Sequence, residues 1–440
     1  METRPLCDAE DVTLWRECAA QLRHFKRRGR GLVAQQDLAA GQEVFQDTPL
    51  VALQHLFSQR LTPCCAACMT PVGSFSLLLQ RILRNSGQTL ERRPQKSFPV
   101  ASHELMGHHL LAGIEPVLCP SEGCKALFCS ESCREEELSY GAHRLLCRDL
   151  REAEAVRCWA EFKALARRHH ENLLLAARAL AWAVCQVKHR NVPEGRVLAE
   201  LLTCQNERWD RLPRCPHRQR ERLRVVQASL TLLRRVLGAG ELLSEDVYSR
   251  LLGEFDLVNV SIEFGHPFQA ALGSPELQPL AAELRSCGLL RRLAEVAGCH
   301  DEANGVAADL VEELPAILGI GLARRVAMMN HSCRPACEVE FGDGCATAVV
   351  RALRKISAGE ELTISYIDES QPVRKRQRSL WLRYGFRCLC SRCARELREA
   401  RLSSGFRRWH PMKCLQKSLA ATFALPKRRC GWPCRQLCST

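Results

Sequence analysis

The sequence predicts an α+β protein in which helical blocks lie between separated groups of short strands. Strand-like segments punctuated by glycine occupy residues 32–45 and 327–366, and the chain between them carries apolar residues at helical spacing. Cysteine is frequent, with 26 of 440 residues, and many cysteines stand a few positions apart. With 46% apolar and 25% charged residues the composition is typical of globular proteins, which excludes a wholly disordered chain.

The elements follow in a mixed order along the chain. Residues 32–34 and 43–45 are short β-type segments on either side of a glycine turn, which predicts a small hairpin. Leucines and other apolar residues recur at helical spacing through 173–184 and 223–237, and proline or glycine follows each segment. A strand-like stretch at 255–262 then precedes the second group of β-segments.

The densest cysteine cluster lies between residues 64 and 147 and predicts two zinc ions. Zinc usually takes four thiolate or imidazole ligands, supplied as pairs a few residues apart. Four such pairs occur here: Cys65 with Cys68, Cys119 with Cys124, Cys129 with Cys133, and His143 with Cys147. An interleaved arrangement places the first and third pairs on one ion and the second and fourth on the other, with Cys64 as an alternative to Cys65.

A second cluster, Cys388, Cys390 and Cys393, supplies three ligands within six residues. A fourth ligand must come from elsewhere, and Cys333 is the candidate. A zinc ion held by four protein ligands has no open position, so all three predicted ions are structural rather than catalytic. The cysteines of the C-terminal tail lack a clear paired spacing, and we expect no fourth ion there: Cys414, Cys430, Cys434 and Cys438.

Charge and hydropathy limit the partners and the location. Lys and Arg outnumber Asp and Glu by 63 to 49, a net charge of +14 that is compatible with nucleic acid but is more often a solvated surface. We favour solvated faces for the basic stretches at 208–224, 374–378 and 427–429. The longest apolar run, near 173–187, contains Arg178 and is short of the roughly 20 residues of a membrane span. With no secretory signal visible, we expect a protein of the nucleus or cytoplasm that contacts no membrane.

Five short motifs stand in a specific order: 28–31 (Arg-Gly-Arg-Gly), 319–321 (Gly-Ile-Gly), 330–335 (Asn-His-Ser-Cys-Arg-Pro), 359–366 (Gly-Glu-Glu-Leu-Thr-Ile-Ser-Tyr) and 384–393 (Tyr-Gly-Phe-Arg-Cys-Leu-Cys-Ser-Arg-Cys). In this order they resemble the SET domain of protein lysine methyltransferases. The eight-ligand module is similar to a MYND finger, so the chain resembles the SET-and-MYND family. Because 47 residues follow Cys393, it is more similar to the short branch that lacks the C-terminal helical-repeat domain.

The resemblance implies a SET-domain β-fold with a knot-like crossing, into which a MYND-type zinc finger and a helical insertion are inserted, followed by a post-SET zinc site. The implied segments are the N-terminal part of the SET domain at 15–60, the finger at 61–150, the helical insertion at 151–250, the core SET domain at 251–370, the post-SET site at 371–395 and an irregular basic tail at 396–440.

The same resemblance implies roles for individual residues. Tyr366 corresponds to the active-site tyrosine, and Tyr384 and Phe386 line the lysine channel. The residues implied for binding of S-adenosylmethionine are Gly29, Arg30, Gly31, Asn259, Asn330, His331 and Tyr366. Glycine suits close approach of backbone to a ligand. The post-SET zinc ligands of the family match the cysteine set reached above from spacing.

The implied activity is transfer of a methyl group from S-adenosylmethionine to a lysine of a histone or non-histone protein. Burial in an aromatic channel lowers the pKa of a lysine and so favours the reactive neutral amine. Alignment of the amine with the methyl and the leaving sulfur supplies much of the acceleration. No carboxylate pair is required.

The alternative is a catalytically weak or inactive scaffold that binds peptides, for instance proline-rich ones, through the finger. Its sequence support is Ala336, which stands where relatives usually have asparagine. The presence of Tyr366, Tyr384 and Asn330 favours the enzyme, because a dead domain has no chemical need for them.

Overall fold

The computed structural model describes residues 18–85, 108–147, 152–203, 207–212, 218–286 and 314–403, apart from positions 27, 315 and 343. The four tail cysteines and the tail from residue 404 lie outside this part of the chain. Within it, every helix is too short or too polar to span a bilayer.

Twelve short strands occur in the described residues. They are β1 (Ala20–Phe25), β2 (Gly29–Ala34), β3 (Glu43–Asp47), β4 (Ala52–Gln54), β5 (Val117–Leu118), β6 (Leu127–Phe128), β7 (Val260–Phe264), β8 (Ile317–Gly321), β9 (Asn330–His331), β10 (Cys337–Phe341), β11 (Ala348–Ala352) and β12 (Glu361–Ile364).

Thirteen α-helices accompany them in the same part of the chain. They are α1 (Ser58–Leu61), α2 (Phe75–Asn85), α3 (Glu131–Ser139), α4 (His143–Leu146), α5 (Ala153–His169), α6 (Asn172–His189), α7 (Glu194–Leu201), α8 (Gln219–Leu237), α9 (Glu245–Val258), α10 (Pro267–Leu272), α11 (Gln278–Ser286), α12 (Val373–Tyr384) and α13 (Ser391–Ser403).

The strands form three small sheets and one two-stranded ribbon, with the orders β1-β2-β12-β9, β10-β11-β3, β4-β8-β7 and β5-β6. In the first sheet β12 is antiparallel to β2 and parallel to β9, so Leu362 pairs with Leu32 and Thr363 with Asn330. Leu362 and Leu32 also lie in one buried cluster with Val350 of the second sheet. The first two sheets therefore share a core.

A crossing of the chain lies where β9 meets β12. The N–H of Ser332 donates to Ile364 O at 2.9 Å, and the N–H of Ala336 donates to Thr363 O at 3.1 Å. The segment after β9 is thus held against β12 at both of its ends. The mixed helix and strand fold that the sequence predicts is confirmed, and these contacts lie where the resemblance implies a crossing.

The helical insertion forms a second core around α6. Its residues are buried on nearly every side, as expected for a helix that is apolar all round. Helices α4, α5, α7, α8 and α9 all pack on it, and so does β4. The helices predicted at 173–184 and 223–237 are thereby confirmed, as parts of α6 and α8.

Three local predictions were wrong. Segment 32–34 does not form a hairpin with 43–45, because β2 pairs with β1 and β12 while β3 pairs with β11. The stretch 255–262 is not one strand, since α9 continues to Val258 before β7 begins. The tail is not irregular from residue 396, because α13 extends to Ser403, supported by Arg392–Glu396 and Arg395–Glu399 ion pairs at i,i+4 spacing.

The long gap between Cys68 and Cys119 also has a structural explanation. Helix α2 packs its buried Phe75, Leu78 and Leu79 against α10 and α11 rather than against the zinc ligands. Phe75 meets Phe268 edge to face, with ring centroids 5.4 Å apart. The gap therefore contains a segment that belongs to a separate apolar cluster.

Asp47, at the end of β3, is a buried carboxylate that positions the loop leading into β9. It accepts hydrogen bonds from the N–H groups of Arg325, at 2.7 Å, and Val326, at 2.9 Å. We expect Asp47→Ala to lower the free energy of unfolding by about 1–3 kcal/mol, because the buried N–H of Val326 and the half-buried N–H of Arg325 lose their acceptor. Urea unfolding would measure it.

The matched control is the exposed Asp37, which accepts one bond from Ala358 N–H at 2.8 Å. Its replacement by alanine should change stability by less than about 1 kcal/mol. Equal losses for the two variants would contradict the role assigned to Asp47.

Candidate active site and metal centres

The first metal centre joins the two ends of the cysteine-rich segment. The sulfur atoms of Cys65, Cys68, Cys129 and Cys133 all lie within 4.8 Å of one another. The Cys68–Cys129 separation is 3.6 Å and the Cys129–Cys133 separation is 3.5 Å. Zn–S bonds of about 2.3 Å in a tetrahedron place sulfurs about 3.8 Å apart, so this set fits zinc. The contact between Cys65 and Cys68 lowers the pKa of Cys68 and raises the pKa of Cys65.

The turn at the first pair decides which of the neighbouring cysteines ligates. Met69 adopts a left-handed conformation with φ of 64°, and its N–H donates to Cys65 O at 3.0 Å. This turn brings Cys65 and Cys68 together. Cys64 lies outside the group of four sulfurs, so the geometry favours Cys65 over Cys64.

The second centre consists of Cys119, Cys124, His143 and Cys147. His143 Nε2 lies 3.3 Å from the sulfur of Cys119 and 3.6 Å from that of Cys124. The T-shaped contact of the His143 ring with Phe128, at 5.5 Å, fixes its orientation. The two groups have the interleaved membership that the pair spacing predicts.

Polar contacts fasten this finger to helix α6. Arg178 donates to Ala66 O, beside the first centre, and to Glu137 Oε1 at 2.9 Å. Glu137 in turn accepts from the N–H of His143 at 2.9 Å. Gln186 donates to Tyr140 O at 3.0 Å. The ligand-bearing turns are therefore positioned by the helical insertion.

The third centre joins Cys333, just after β9, to Cys388, Cys390 and Cys393 between α12 and α13. The sulfurs of Cys393 and Cys333 are 3.5 Å apart. Hydrogen bonds from Cys333 and Cys388, and a further one from Arg376, hold the pKa of Cys393 well below its usual range. The fourth ligand is thus the residue that the sequence proposed.

Arg376 is a member of this centre that sequence reasoning missed. Its side chain is 1% exposed, and its Nη2 lies 3.7 Å from the Cys393 sulfur and 2.7 Å from Glu396. A tetrathiolate zinc site carries a net negative charge, and the buried guanidinium offsets part of it. The basic run 374–378 gave no signal that its middle residue faces inward.

His331 connects the third centre to Tyr366. The N–H of Tyr366 donates to His331 Nδ1 at 3.0 Å, which leaves the proton on Nε2, 3.2 Å from the Cys333 sulfur. Burial lowers the pKa of His331 to about 4, so the ring is neutral near pH 7. The imidazole thus links a metal ligand to the backbone of the predicted catalytic tyrosine.

The glycine motif lies directly against Asn330. The amide of Asn330 donates to Arg30 O at 3.1 Å and to Glu361 Oε1 at 3.0 Å. A Cβ on Gly31 would come within 2.4 Å of this amide, so only glycine fits there. Gly29 has a φ of +70°, which also favours glycine.

The three predicted channel residues form one aromatic group. The ring centroids of Tyr366 and Tyr384 are 5.0 Å apart, and Phe386 lies 6.4 Å from Tyr366 and 6.3 Å from Tyr384. The Tyr366 hydroxyl donates to Met329 O at 2.5 Å, and the Tyr384 hydroxyl donates to Tyr366 O at 3.3 Å. All three rings are partly buried.

A cleft of about 450 Å³ opens beside this group, a volume suited to a cofactor-sized ligand. It is lined by Arg28, Ser332, Arg334, Arg354, Glu360, Glu361, Thr363, Cys390 and Ser391. Arg28 forms an ion pair with Glu361, the same carboxylate that holds Asn330. Arg28 and Glu361 stood inside the quoted motifs, but their side-chain roles had no sequence signal.

Asn259 is the remaining residue implied for cofactor binding. It follows α9, and its amide donates to Asn172 Oδ1 at 3.1 Å. Neither Asn259 nor Asn330 is among the residues that line the cleft, and the role of Asn259 in cofactor binding stays a prediction.

A sequence model of the SET domain matches residues 29–367. The chain belongs to the SET-domain family. The match spans the finger and the helical insertion, so both are insertions within the SET domain. The first two cysteine groups, Asn330 and Tyr366 lie within the matched residues, whereas Tyr384, Phe386 and three cysteines of the third group follow them.

Comparison with curated proteins agrees with this family. The chain is 25% identical to histone-lysine N-methyltransferase ATXR2 of Arabidopsis thaliana, over 83% of this chain and 88% of that protein. It is 39% identical to human histone-lysine N-methyltransferase SMYD1, over 19% of each chain. It is 38% identical to SET domain and MYND-type zinc finger protein 6 of Schizosaccharomyces pombe, over 26% of this chain and 23% of that protein.

These relatives confirm the resemblance to SET-and-MYND proteins and support a lysine methyltransferase. The three Cys and His groups match the three zinc sites predicted. The SET-domain family implies S-adenosylmethionine as the methyl donor.

Proposed function

We propose that this SET-domain protein is a protein-lysine N-methyltransferase that uses S-adenosylmethionine on a histone or non-histone substrate. The observation that carries the proposal is the position of Tyr366. Its ring belongs to the aromatic group, and its backbone is held by His331, next to Asn330 and the glycine motif.

The cleft beside Asn330 is the proposed cofactor site. When bound there, S-adenosylmethionine supplies an electrophilic methyl group. The Asn330 amide can donate a hydrogen bond to the cofactor, and the Glu361 carboxylate can accept one. Arg28 offers a positive charge for the carboxylate of the cofactor. Close packing at Gly31 holds Asn330 in place.

The aromatic group is the proposed lysine channel. Tyr366, Tyr384 and Phe386 pack around the aliphatic stem and exclude water, which favours the neutral amine. The amine nitrogen then takes the methyl group as the carbon–sulfur bond breaks, and the product ammonium releases a proton to solvent. Alignment of these atoms by the rings supplies much of the rate.

The three metal centres have structural roles in the proposal. Each is a closed set of four ligands without an open position for substrate, which is typical of structural zinc. The third centre positions the channel, because Tyr384 and Phe386 directly precede its ligands. At Ala336 the backbone N–H bonds to Thr363, so alanine in place of asparagine keeps this backbone contact.

Calorimetry with zinc-loaded protein and S-adenosylmethionine tests the proposed function. We expect binding that Asn330→Ala weakens about tenfold or more, because the variant removes hydrogen bonds that hold the glycine motif. Asn259→Ala should have a smaller effect, since Asn259 lies against Asn172. Absence of binding to the wild type would contradict the proposal. Equal losses of affinity in the two variants would show that Asn259 also contributes to the cofactor site.

A further inference from the structure

Helix α12 buries Val373 and Leu380, but it departs from an ordinary amphipathic helix at three positions. Arg376 on its inner face is 1% exposed, whereas Trp381 and Leu382 on its outer face are 51% and 48% exposed. A surface helix usually directs apolar side chains inward and charges outward. Two large apolar side chains on one exposed helix face are typical of a binding surface.

The same outer face is strongly basic. Arg374 and Arg378 lie four residues apart, so they are neighbours on the helix surface, and Lys375 is beside them. Like charges at this spacing destabilise a helix, so the pattern does not serve the stability of α12. Residues 371–395 contain eight Lys or Arg and no Asp or Glu. No ion pair is recorded for Arg374 or Lys375 in the described part of the chain.

Helix α12 and the segment that follows it connect this surface to the aromatic group, which packs on the inner side of the helix. Helix α12 ends at Tyr384, one turn after Trp381. Arg387, next to Phe386, lies over the Trp381 ring at 6.0 Å. Leu389, between two ligands of the third centre, is 71% exposed. We define the α12 face as Arg374, Lys375, Arg378, Trp381, Leu382 and Leu389.

We propose that the α12 face docks an acidic segment of the substrate protein that carries at least one large apolar residue near the lysine to be methylated. The inference rests on the proposed function and specifies its substrate class. Carboxylates would pair with the arginines, while the apolar residue would cover Leu382 and Leu389. A lysine flanked by basic residues, as in a basic tail, would be repelled.

Charge argues against two other occupants. The chain's own residues 404–440 contain eight Lys or Arg and no Asp or Glu, so they carry the same sign as the α12 face. A nucleic acid would match the positive charge but would leave the leucines without apolar partners. An acidic, partly apolar protein segment satisfies both properties of the surface.

Three fluorescein-labelled 17-residue peptides with one central lysine provide the probes. The first has Asp, Glu and Leu flanks, the second Ser flanks and the third Arg flanks. Anisotropy should show binding of the acidic peptide to the full chain at least about tenfold tighter than that of the other two, with a preference that weakens as salt is raised. With S-adenosylmethionine added, methylation of the acidic peptide should have the lowest KM of the three peptides, while kcat should differ less among them.

Arg374→Glu/Arg378→Glu should remove or reverse this preference. Arg220→Glu/Arg224→Glu, an exposed pair at the same spacing on α8, is the matched control and should leave the preference unchanged. Trp381→Ala/Leu382→Ser tests the apolar part separately and should weaken the acidic peptide about tenfold. Circular dichroism checks that each variant folds.

The outcomes separate the two proposals. Binding of S-adenosylmethionine without preference for the acidic peptide would overturn the docking inference and leave the proposed function intact. Tight acidic-peptide binding without methyl transfer would support docking and count against the enzyme. Tighter binding of a 20-base-pair DNA duplex, abolished by Arg374→Glu/Arg378→Glu, would replace the peptide with nucleic acid.

Discussion

Tyr366→Phe is expected to reduce turnover by about a hundredfold or more while the protein stays folded. The hydroxyl donates to Met329 O at 2.5 Å, at the residue before Asn330. In the proposal, this hydroxyl lies where the lysine channel reaches the bound cofactor. Removal of one positioned polar group at a reacting centre typically reduces the rate by about this factor. The folded state loses one hydrogen bond, about 1 kcal/mol.

Incorporation of labelled methyl groups at saturating S-adenosylmethionine measures this effect, and calorimetry shows whether the cofactor still binds. The chain has four tyrosines, and Tyr140, an exposed residue of the finger, supplies the matched control. Tyr140→Phe should leave turnover unchanged. A Tyr366→Phe enzyme of normal rate would remove the Tyr366 hydroxyl from the mechanism.

Cys393→Ser is expected to lower bound zinc from about three ions per chain to about two and to abolish most activity. The Cys393 sulfur is fully buried, 3.5 Å from Cys333 and 3.7 Å from Arg376 Nη2. Loss of the metal removes the thiolate contacts of the buried guanidinium and leaves Glu396 as its counter-charge, so we expect a loss of stability below the roughly 3–5 kcal/mol of a fully broken buried charge pair. The channel is affected because Tyr384 and Phe386 directly precede the ligands.

Elemental analysis by plasma mass spectrometry gives the zinc content, and thermal unfolding gives the change in stability. Cys345→Ser is the matched control, because Cys345 belongs to none of the three groups. Its zinc content and activity should equal those of the wild type. Three bound zinc ions in Cys393→Ser would contradict the assignment of Cys393 as a ligand. Two ions with normal activity would show that the lysine channel does not depend on the third centre.

The sequence determined which cysteines meet, because metal-ligand pairs are local structures. A pair two to four residues apart can close around an ion within one turn, so the pairs could be identified without knowledge of the fold. The need for a fourth ligand at the third centre then pointed to Cys333 across a long stretch of chain. Helices α6 and α8 were equally accessible, since a 3.6-residue period is visible in any window of the sequence.

Only the tertiary structure decided which strands pair and which charges face inward. The hairpin prediction failed because β2 has β12 as one partner, more than 300 residues later, and such pairing leaves no local mark. Arg376 and Asp47 appear in the sequence as ordinary charged residues, yet one compensates thiolates and the other holds the loop before β9. Helix α12 buries Arg376 beside Val373 and Leu380 while Trp381 and Leu382 stay exposed, and its sequence does not indicate which of these residues face inward. Burial depends on what surrounds a residue in space, and a linear pattern specifies only its neighbours along the chain.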